Sequence, residues 1–314
     1  MSNMNDALGL RIPYGSSNGQ YETQYEPATS TIWGYFNPRG TPCFSPALLR
    51  DIRMHDSMLG VHRGKVEIHG ELNPVHFYVC ASRTPGVFNL GGDLALFSML
   101  IKTGDREALS AYARLCIDNM HGRIHNYYSP ALVTISLVQG DALGGGFECA
   151  LSSDIIVAEK SAVMGLPEIL FNLFPGMGAY SLLSRRIGMR AAEDLILSGR
   201  MLDAAKLHEM GIVDVVAEDG QGESAVREWI AKNWKRRNGL QAVMRARQIV
   251  NPITREELDA VAEAWVDAAL RLQERDLKMI GHLVRAQQRR LSQAPGSEDV
   301  VSAAQVVEGV ALAG

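Results

Sequence analysis

Ala142-Leu143-Gly144-Gly145-Gly146-Phe147-Glu148 decides the reading of this chain. Successive glycines let ligand atoms approach the backbone and permit dihedrals closed to other residues. The continuous apolar run Leu132-Val133-Thr134-Ile135-Ser136-Leu137-Val138 ahead of them reads as a buried strand. If Phe147 to Leu151 is helical, the Gly145 N–H lies near a helix N-terminus, where the macrodipole favours an anion. Twenty residues after Glu148, a second carboxylate stands in Gly165-Leu166-Pro167-Glu168-Ile169. Between them runs a strand pattern, Ile155-Ile156-Val157-Ala158. Amides that hold a developing oxyanion, beside two carboxylates that move protons, suit chemistry at a thioester carbonyl. Losing one such donor typically costs about 3 kcal/mol of transition-state stabilisation.

Outward from this segment, strands and helices alternate. Val75-His76-Phe77-Tyr78-Val79-Cys80 reads as a strand, followed by the loop Phe88-Asn89-Leu90-Gly91-Gly92-Asp93, a source for a second oxyanion donor. Helical periodicity runs from Leu94 to Met99 and from Arg106 to His125. The alternation predicts a parallel α/β core. After Pro175 the pattern is mostly helical, with Ile212-Val213-Asp214-Val215-Val216 as an edge strand. Thr254-Arg255-Glu256-Glu257 is a capping-box pattern. Leu258, Val261, Trp265, Ala269 and Leu272 then form one helical stripe that Leu277, Ile280 and Leu283 continue. The expected organisation is a mobile arm over 1–20, a core over 21–238, a helical region over 239–292 and a flexible tail over 293–314.

The chain has 314 residues, 46% hydrophobic and 21% charged, enough for one large core with a helical appendage. A net charge of −4 gives no reason to expect a nucleic-acid partner. No apolar run is long enough for a membrane span, and the N-terminus lacks the pattern of a secretory signal. Cys43, Cys80, Cys116 and Cys149 form no CxxC pair and read as reduced thiols of a cytoplasmic protein.

Several separated motifs together resemble the crotonase (enoyl-CoA hydratase/isomerase) superfamily. Phe88 to Asp93 looks like its first oxyanion loop and Ala142 to Glu148 like its second. Gly165 to Glu168, with Phe174-Pro175-Gly176-Met177-Gly178-Ala179, resembles its second catalytic segment. Leu197-Ser198-Gly199-Arg200 through Gly211-Ile212-Val213 resembles the approach to its last strand. The likeness covers roughly residues 75–220. It implies a ClpP/crotonase-like fold of repeated ββα units with C-terminal helices that pack over the site. It also implies a homo-oligomer, a trimer or a hexamer. Carried over by position, the oxyanion donors are the Leu90 and Gly145 amides. Glu148 and Glu168 are the paired carboxylates, Glu168 acting at C2 and Glu148 on the hydroxyl or water.

Ile135 through Glu148, with Glu263-Ala264-Trp265-Val266-Asp267 and Leu283-Val284-Arg285-Ala286-Gln287, is similar to the bacterial diffusible-signal-factor synthases. That subgroup implies dehydration of a 3-hydroxyacyl thioester of acyl carrier protein, then hydrolysis to a free cis-2-unsaturated fatty acid, a quorum-sensing signal. Leu143, Gly144, Met177, Trp265 and Leu283 are the expected substrate pocket. An enoyl-CoA hydratase of fatty-acid metabolism is the alternative enzyme. A binding protein acting on a signalling sensor is the alternative outside catalysis.

Other readings compete at single positions. Trp265 and the helical stripe are equally what a plain core requires. Gly144-x-Gly146-x-x-Cys149 fails the dinucleotide fingerprint at its third position, so no nicotinamide cofactor, and no other cofactor, is expected. His121 and His125 have the i, i+4 spacing of a metal pair but no evident third ligand, so no metal is expected. Arg185, Arg186 and Arg190, or Lys235, Arg236 and Arg237, read as a solvated face or as a docking patch for an acidic carrier protein.

Overall fold

The computed structural model describes residues 10–11 and 19–292, with side chains described from 19 to 285. The first elements are β1 (Leu10–Arg11), β2 (Tyr21–Glu26), β3 (Thr31–Phe36), α1 (Pro46–Val61), β4 (Lys65–Ile68) and β5 (Glu71–Pro74). Next come β6 (Phe77–Ser82), β7 (Val87–Asn89), α2 (Leu94–Thr103), α3 (Arg106–Ile124), β8 (Val133–Val138), β9 (Asp141–Leu143) and α4 (Gly145–Leu151). Then follow β10 (Ile155–Glu159), β11 (Val163–Gly165), α5 (Ala179–Ile187), α6 (Met189–Ser198), β12 (Met201–Asp203), α7 (Ala204–Glu209) and β13 (Val215–Ala217). The last helices are α8 (Gly222–Trp234), α9 (Arg237–Val250), α10 (Arg255–Ala269) and α11 (Glu274–Ser292).

β4 and β5 pair with each other as a two-stranded antiparallel ribbon, and two larger sheets organise the other strands. The larger has the order β1-β2-β3-β6-β8-β10-β13 and the smaller β12-β11-β9-β7. From β3 to β13 the large sheet is parallel, and so are β7, β9 and β11 in the small one. Three consecutive strand pairs, β6–β7, β8–β9 and β10–β11, therefore place their first strand in one sheet and their second in the other. A helix or a 3-10 turn follows each pair, which is the repeated ββα arrangement of the crotonase fold. The pairs nest backbone to backbone: a Cβ on Gly140 would lie 2.1 Å from the Gly86 carbonyl carbon.

The period-two alternation of the central strands separates two cores. Phe77, Val79, Val133, Ile135 and Leu137 pack beneath Val226 and Ile230 of α8. Tyr78, Cys80 and Val138 point the other way, into the main core shared with the small sheet, α1 and α3. Both faces are covered, which is why these strands read as continuous apolar runs. Each fully buried side chain of this size contributes about 2 kcal/mol.

Thr254 caps α10 by accepting from the Glu257 amide at 3.1 Å. The Glu257 carboxylate instead grips Arg185 at 2.9 and 2.8 Å, leaving the capping box half formed. The apolar stripe also divides: Leu258, Trp265 and Ala269 are buried in α10, while Ile280 and Leu283 belong to a separate helix, α11. α10 packs on α3, and α11 packs on α2 and on the 3-10 turn Pro167–Phe171.

Three expectations change in detail. Leu10–Arg11, inside the expected arm, pairs antiparallel with Gln24 and Tyr25, so the sheet begins before residue 21. The boundary at 239 falls within α9; the expected tail, 293–314, lies outside the described residues. Arg185 and Arg186 form no free docking patch. Arg186 donates to the Ile212 and Ser153 carbonyls at 2.9 and 2.7 Å, so both arginines tie α5 to its neighbours. Among the described residues no helix is long and apolar enough to cross a membrane.

Candidate active site

β7, β9 and β11 are parallel neighbours, so the loops after them leave the same end of the small sheet. The β7 loop carries Leu90-Gly91-Gly92, the β9 loop opens α4, and the β11 loop carries Glu168. Their backbones touch. A Cβ on Gly146 would meet the Asn89 carbonyl oxygen at 2.0 Å. Gly144 has φ +51 and a Cβ there would lie 2.4 Å from Glu168 Oε1, so a side chain would displace that carboxylate.

Gly145 is the first residue of α4, where amides have no intrahelical acceptor. No acceptor takes its N–H among the described residues. The Leu90 amide is different: it donates to the Pro42 carbonyl at 2.8 Å. That bond removes Leu90 as the second donor. The next amide, of Gly91, is held by Asn89 Oδ1 at 2.8 Å. Gly92 follows, with no acceptor among the described residues. Its nitrogen lies 3.5 Å from where a Gly145 Cβ would stand, so the two uncommitted amides are Gly92 and Gly145. The Asx turn at Asn89 was a local signal for this shift. The Pro42 carbonyl comes from a distant loop and was not.

Glu148 is buried and its Oε1 accepts from the Met177 and Ala179 amides at 2.9 and 3.0 Å. Ala179 opens α5, so this oxygen also sits at a helix N-terminus. Burial nevertheless wins, raising the carboxyl from 4.5 to about 7. Glu168 is raised to about 8, first by burial and then by the charge of Glu148. Its Oε2 is occluded and has no hydrogen-bond partner among the described residues. Both carboxyls are thus held above the ordinary carboxylate range, and ionising Glu148 makes ionising Glu168 harder.

Both glutamates, Gly92 and Gly145 line one cavity of about 130 Å³. Leu143, Gly144, Met177, Trp265 and Leu283 lie on its wall, as does the Leu90 side chain. Trp265 covers the backbone of Gly176, where a Cβ would collide with the indole at 2.3 Å, and meets Phe97 edge-on at 5.1 Å. Sequence reasoning missed one whole wall. Tyr112, Cys116, Met120 and Arg123 line the cavity from α3, and their near-i+4 spacing marks one helix face. The four cysteines are free; Cys149 lines the cavity beside Cys80. His121 and His125 lie outside it, their rings 4.2 Å apart.

Residues 75–290 match the family described as enoyl-CoA hydratase/isomerase. The chain belongs to this family. A probable enoyl-CoA hydratase of Rhizobium meliloti (strain 1021) is 36% identical over 176 residues, covering 54% of this chain and 65% of that protein. The human mitochondrial enoyl-CoA hydratase domain-containing protein 2 is 36% identical over 146 residues, 46% of this chain and 47% of that protein. The chain thus spans only part of the length of these enoyl-CoA hydratase relatives. Among solved structures, an enoyl-CoA hydratase homologue from Streptomyces avermitilis superposes with TM-score 0.67 at 18% identity, covering 94% of this chain and 99% of that one. Pseudomonas aeruginosa DspI superposes with TM-score 0.62 at 23% identity, covering 76% and 85%. At these identities the likeness to solved structures shows the shared fold of the enoyl-CoA hydratase/isomerase family.

Proposed function

We propose that the chain dehydrates a 3-hydroxyacyl thioester of acyl carrier protein and hydrolyses the resulting enoyl thioester, releasing a cis-2-unsaturated fatty acid that serves as a diffusible signal. The observation that carries this reading is a buried carboxylate pair with raised pKa values beside two uncommitted amides in one largely apolar cavity. The thioester oxygen accepts from Gly92 and Gly145. Glu168 lies against Gly144, next to that hole, and takes the C2 proton. Glu148 lies one helical turn further along α4 and protonates the C3 hydroxyl, which leaves as water. Dehydration requires Glu168 ionised and Glu148 protonated, and burial of both carboxyls favours keeping a proton in the pair at neutral pH. In the second step a carboxylate accepts a proton from water as the water oxygen bonds to C1. The same amides hold the tetrahedral oxyanion, and its collapse breaks the C–S bond as that carboxyl returns the proton to the departing carrier sulfur.

The names of the curated relatives favour a second reading, hydration of an enoyl-CoA. Incubation in deuterated water with matched acyl-carrier-protein and CoA thioesters separates the two. The proposal expects C2 exchange on the carrier-bound substrate, lost in Glu168→Gln, and release of free acid. Fast reversible hydration of the CoA thioester without acid release supports the hydratase reading. A trimeric or hexameric assembly, and contact with a signalling sensor, belong to the same proposal. Capture of a sensor that survives Glu148→Ala/Glu168→Ala separates a binding role from the chemistry.

A further inference from the structure

The cavity has an inner end that the proposed chemistry does not use. α3 leads to it. Cys116 lines the cavity within reach of the Glu148 charge, and Arg123 lies seven residues further along the same face. There the cavity meets Tyr21, Asp56 and Tyr127. Asp56 Oδ1 accepts from the Tyr78 hydroxyl at 2.8 Å and lies 3.0 Å from His55 Nδ1. Its Oδ2 accepts from the Tyr127 hydroxyl at 2.8 Å. The Tyr21 and Tyr78 hydroxyls are 2.5 Å apart. Arg123 donates to Ser153 Oγ at 3.0 Å and to the Ile135 carbonyl at 2.8 Å.

The tyrosines and Asp56 bond one another, and Arg123 is held by Ser153 and the Ile135 carbonyl. An alkyl chain pushed into this cluster would break bonds to Asp56 and strand a buried carboxylate, which is far costlier than stopping short. Tyr21, Tyr78, Arg123 and Tyr127 are each 5% exposed or less, so this end is closed. The carrier arm must remain connected to solvent, which leaves the closed end to the acyl tail. The floor is also held in an unusual backbone state. Asn126, Tyr127 and Tyr128 have φ of +51, +50 and +59, a left-handed turn that L residues rarely adopt. Asp56 holds Tyr127 there, and Asp154 holds Asn126.

We propose that the Tyr21–Asp56–Tyr127–Arg123 cluster is the stop for the end of the acyl chain and sets the maximum substrate length. This rests on the reading of the site as a fatty-acyl thioester site. Seven helical residues advance about 10 Å. An extended chain advances about 1.2 Å per bond, taking the rise per extended residue over its three backbone bonds. Roughly eight bonds then fit beyond C3, an acyl group of about ten to twelve carbons.

The test is a ladder of straight saturated free fatty acids from eight to sixteen carbons, read by displacement of a fluorescent fatty-acid probe from the full chain. Affinity should rise by about fourfold per added buried methylene up to the limit, then fall by at least about tenfold by sixteen carbons as overpacking sets in. Tyr127→Gly accepts the left-handed φ and removes the ring, and should move the limit at least two carbons longer. Ile52→Phe, on the same cavity wall, should move it shorter. Affinity that keeps rising to sixteen carbons in the unaltered chain overturns the proposal, and so does a limit unmoved in both folded variants. A length limit without turnover of any 3-hydroxyacyl thioester would sink the catalytic reading and leave the stop standing. Turnover with indifference to chain length would do the reverse.

Discussion

Glu148→Gln should make the protein less active and, at neutral pH and above, more stable. The native carboxyl is raised from 4.5 to about 7 by burial. The native state therefore holds this proton more tightly than the unfolded chain does. The linked stability is fully present below about pH 4.5 and is lost as pH rises through about 7. At roughly 1.4 kcal/mol per pH unit, the total is about 3 kcal/mol. Glutamine keeps an acceptor oxygen for the Met177 and Ala179 amides but carries no charge. The stability gap between variant and parent should be small and flat below about pH 5, widen between about pH 5 and 7, and level off near pH 8. Removing the charge of Glu148 also relieves Glu168, which adds to the variant's advantage above neutrality. Thermal unfolding at pH 5, 6, 7 and 8 measures the gap directly. Over the same range kcat should fall by about 10²- to 10⁴-fold. A gap that stays flat, or a variant that is less stable at pH 8, would refute the claim that this carboxylate is desolvated against its two amides.

Other consequences are equally concrete. The pH profile of kcat/KM should be bell-shaped with its maximum between about 7 and 8, because the base is lost when both carboxyls are protonated and the acid when both are ionised; Glu168→Gln should remove the bell. Gly92→Pro, made with Phe97→Ala to clear the ring 2.5 Å from the position of a Gly92 Cβ, should lower kcat about 10²- to 10³-fold relative to Phe97→Ala alone. The same loss on removing the Leu90 amide, with Gly92 indifferent, would reverse the donor assignment. Trp265→Ala should cost about 3–5 kcal/mol in unfolding experiments and raise KM for long acyl thioesters, since the indole fills the space between Gly176 and Phe97.

What could be read from the chain depended on how locally each feature is determined. The central strands and α4 declared themselves, because continuous apolar runs and a triple glycine have few other uses. Glu148, Glu168 and Gly145 fall together because they lie on consecutive ββ units whose second strands are neighbours. Leu90 did not hold as a donor, since its amide is taken by Pro42, a contact that no local pattern records. Arg185 and Arg186 looked like surface charge. Their carbonyl and carboxylate partners are supplied by segments remote in sequence. The inner end of the cavity was hidden for the same reason: Tyr21, Asp56 and Tyr127 come from β2, α1 and a turn after α3, and only the fold brings them together.

The most direct test of the central claim is product analysis after incubation with 3-hydroxydodecanoyl acyl carrier protein, using chromatography and mass spectrometry against cis and trans standards. The account predicts free cis-2-dodecenoic acid from the unaltered chain and none from either Glu148→Ala or Glu168→Ala. Absence of free acid, with rapid hydration of a short trans-enoyl-CoA, would contradict it.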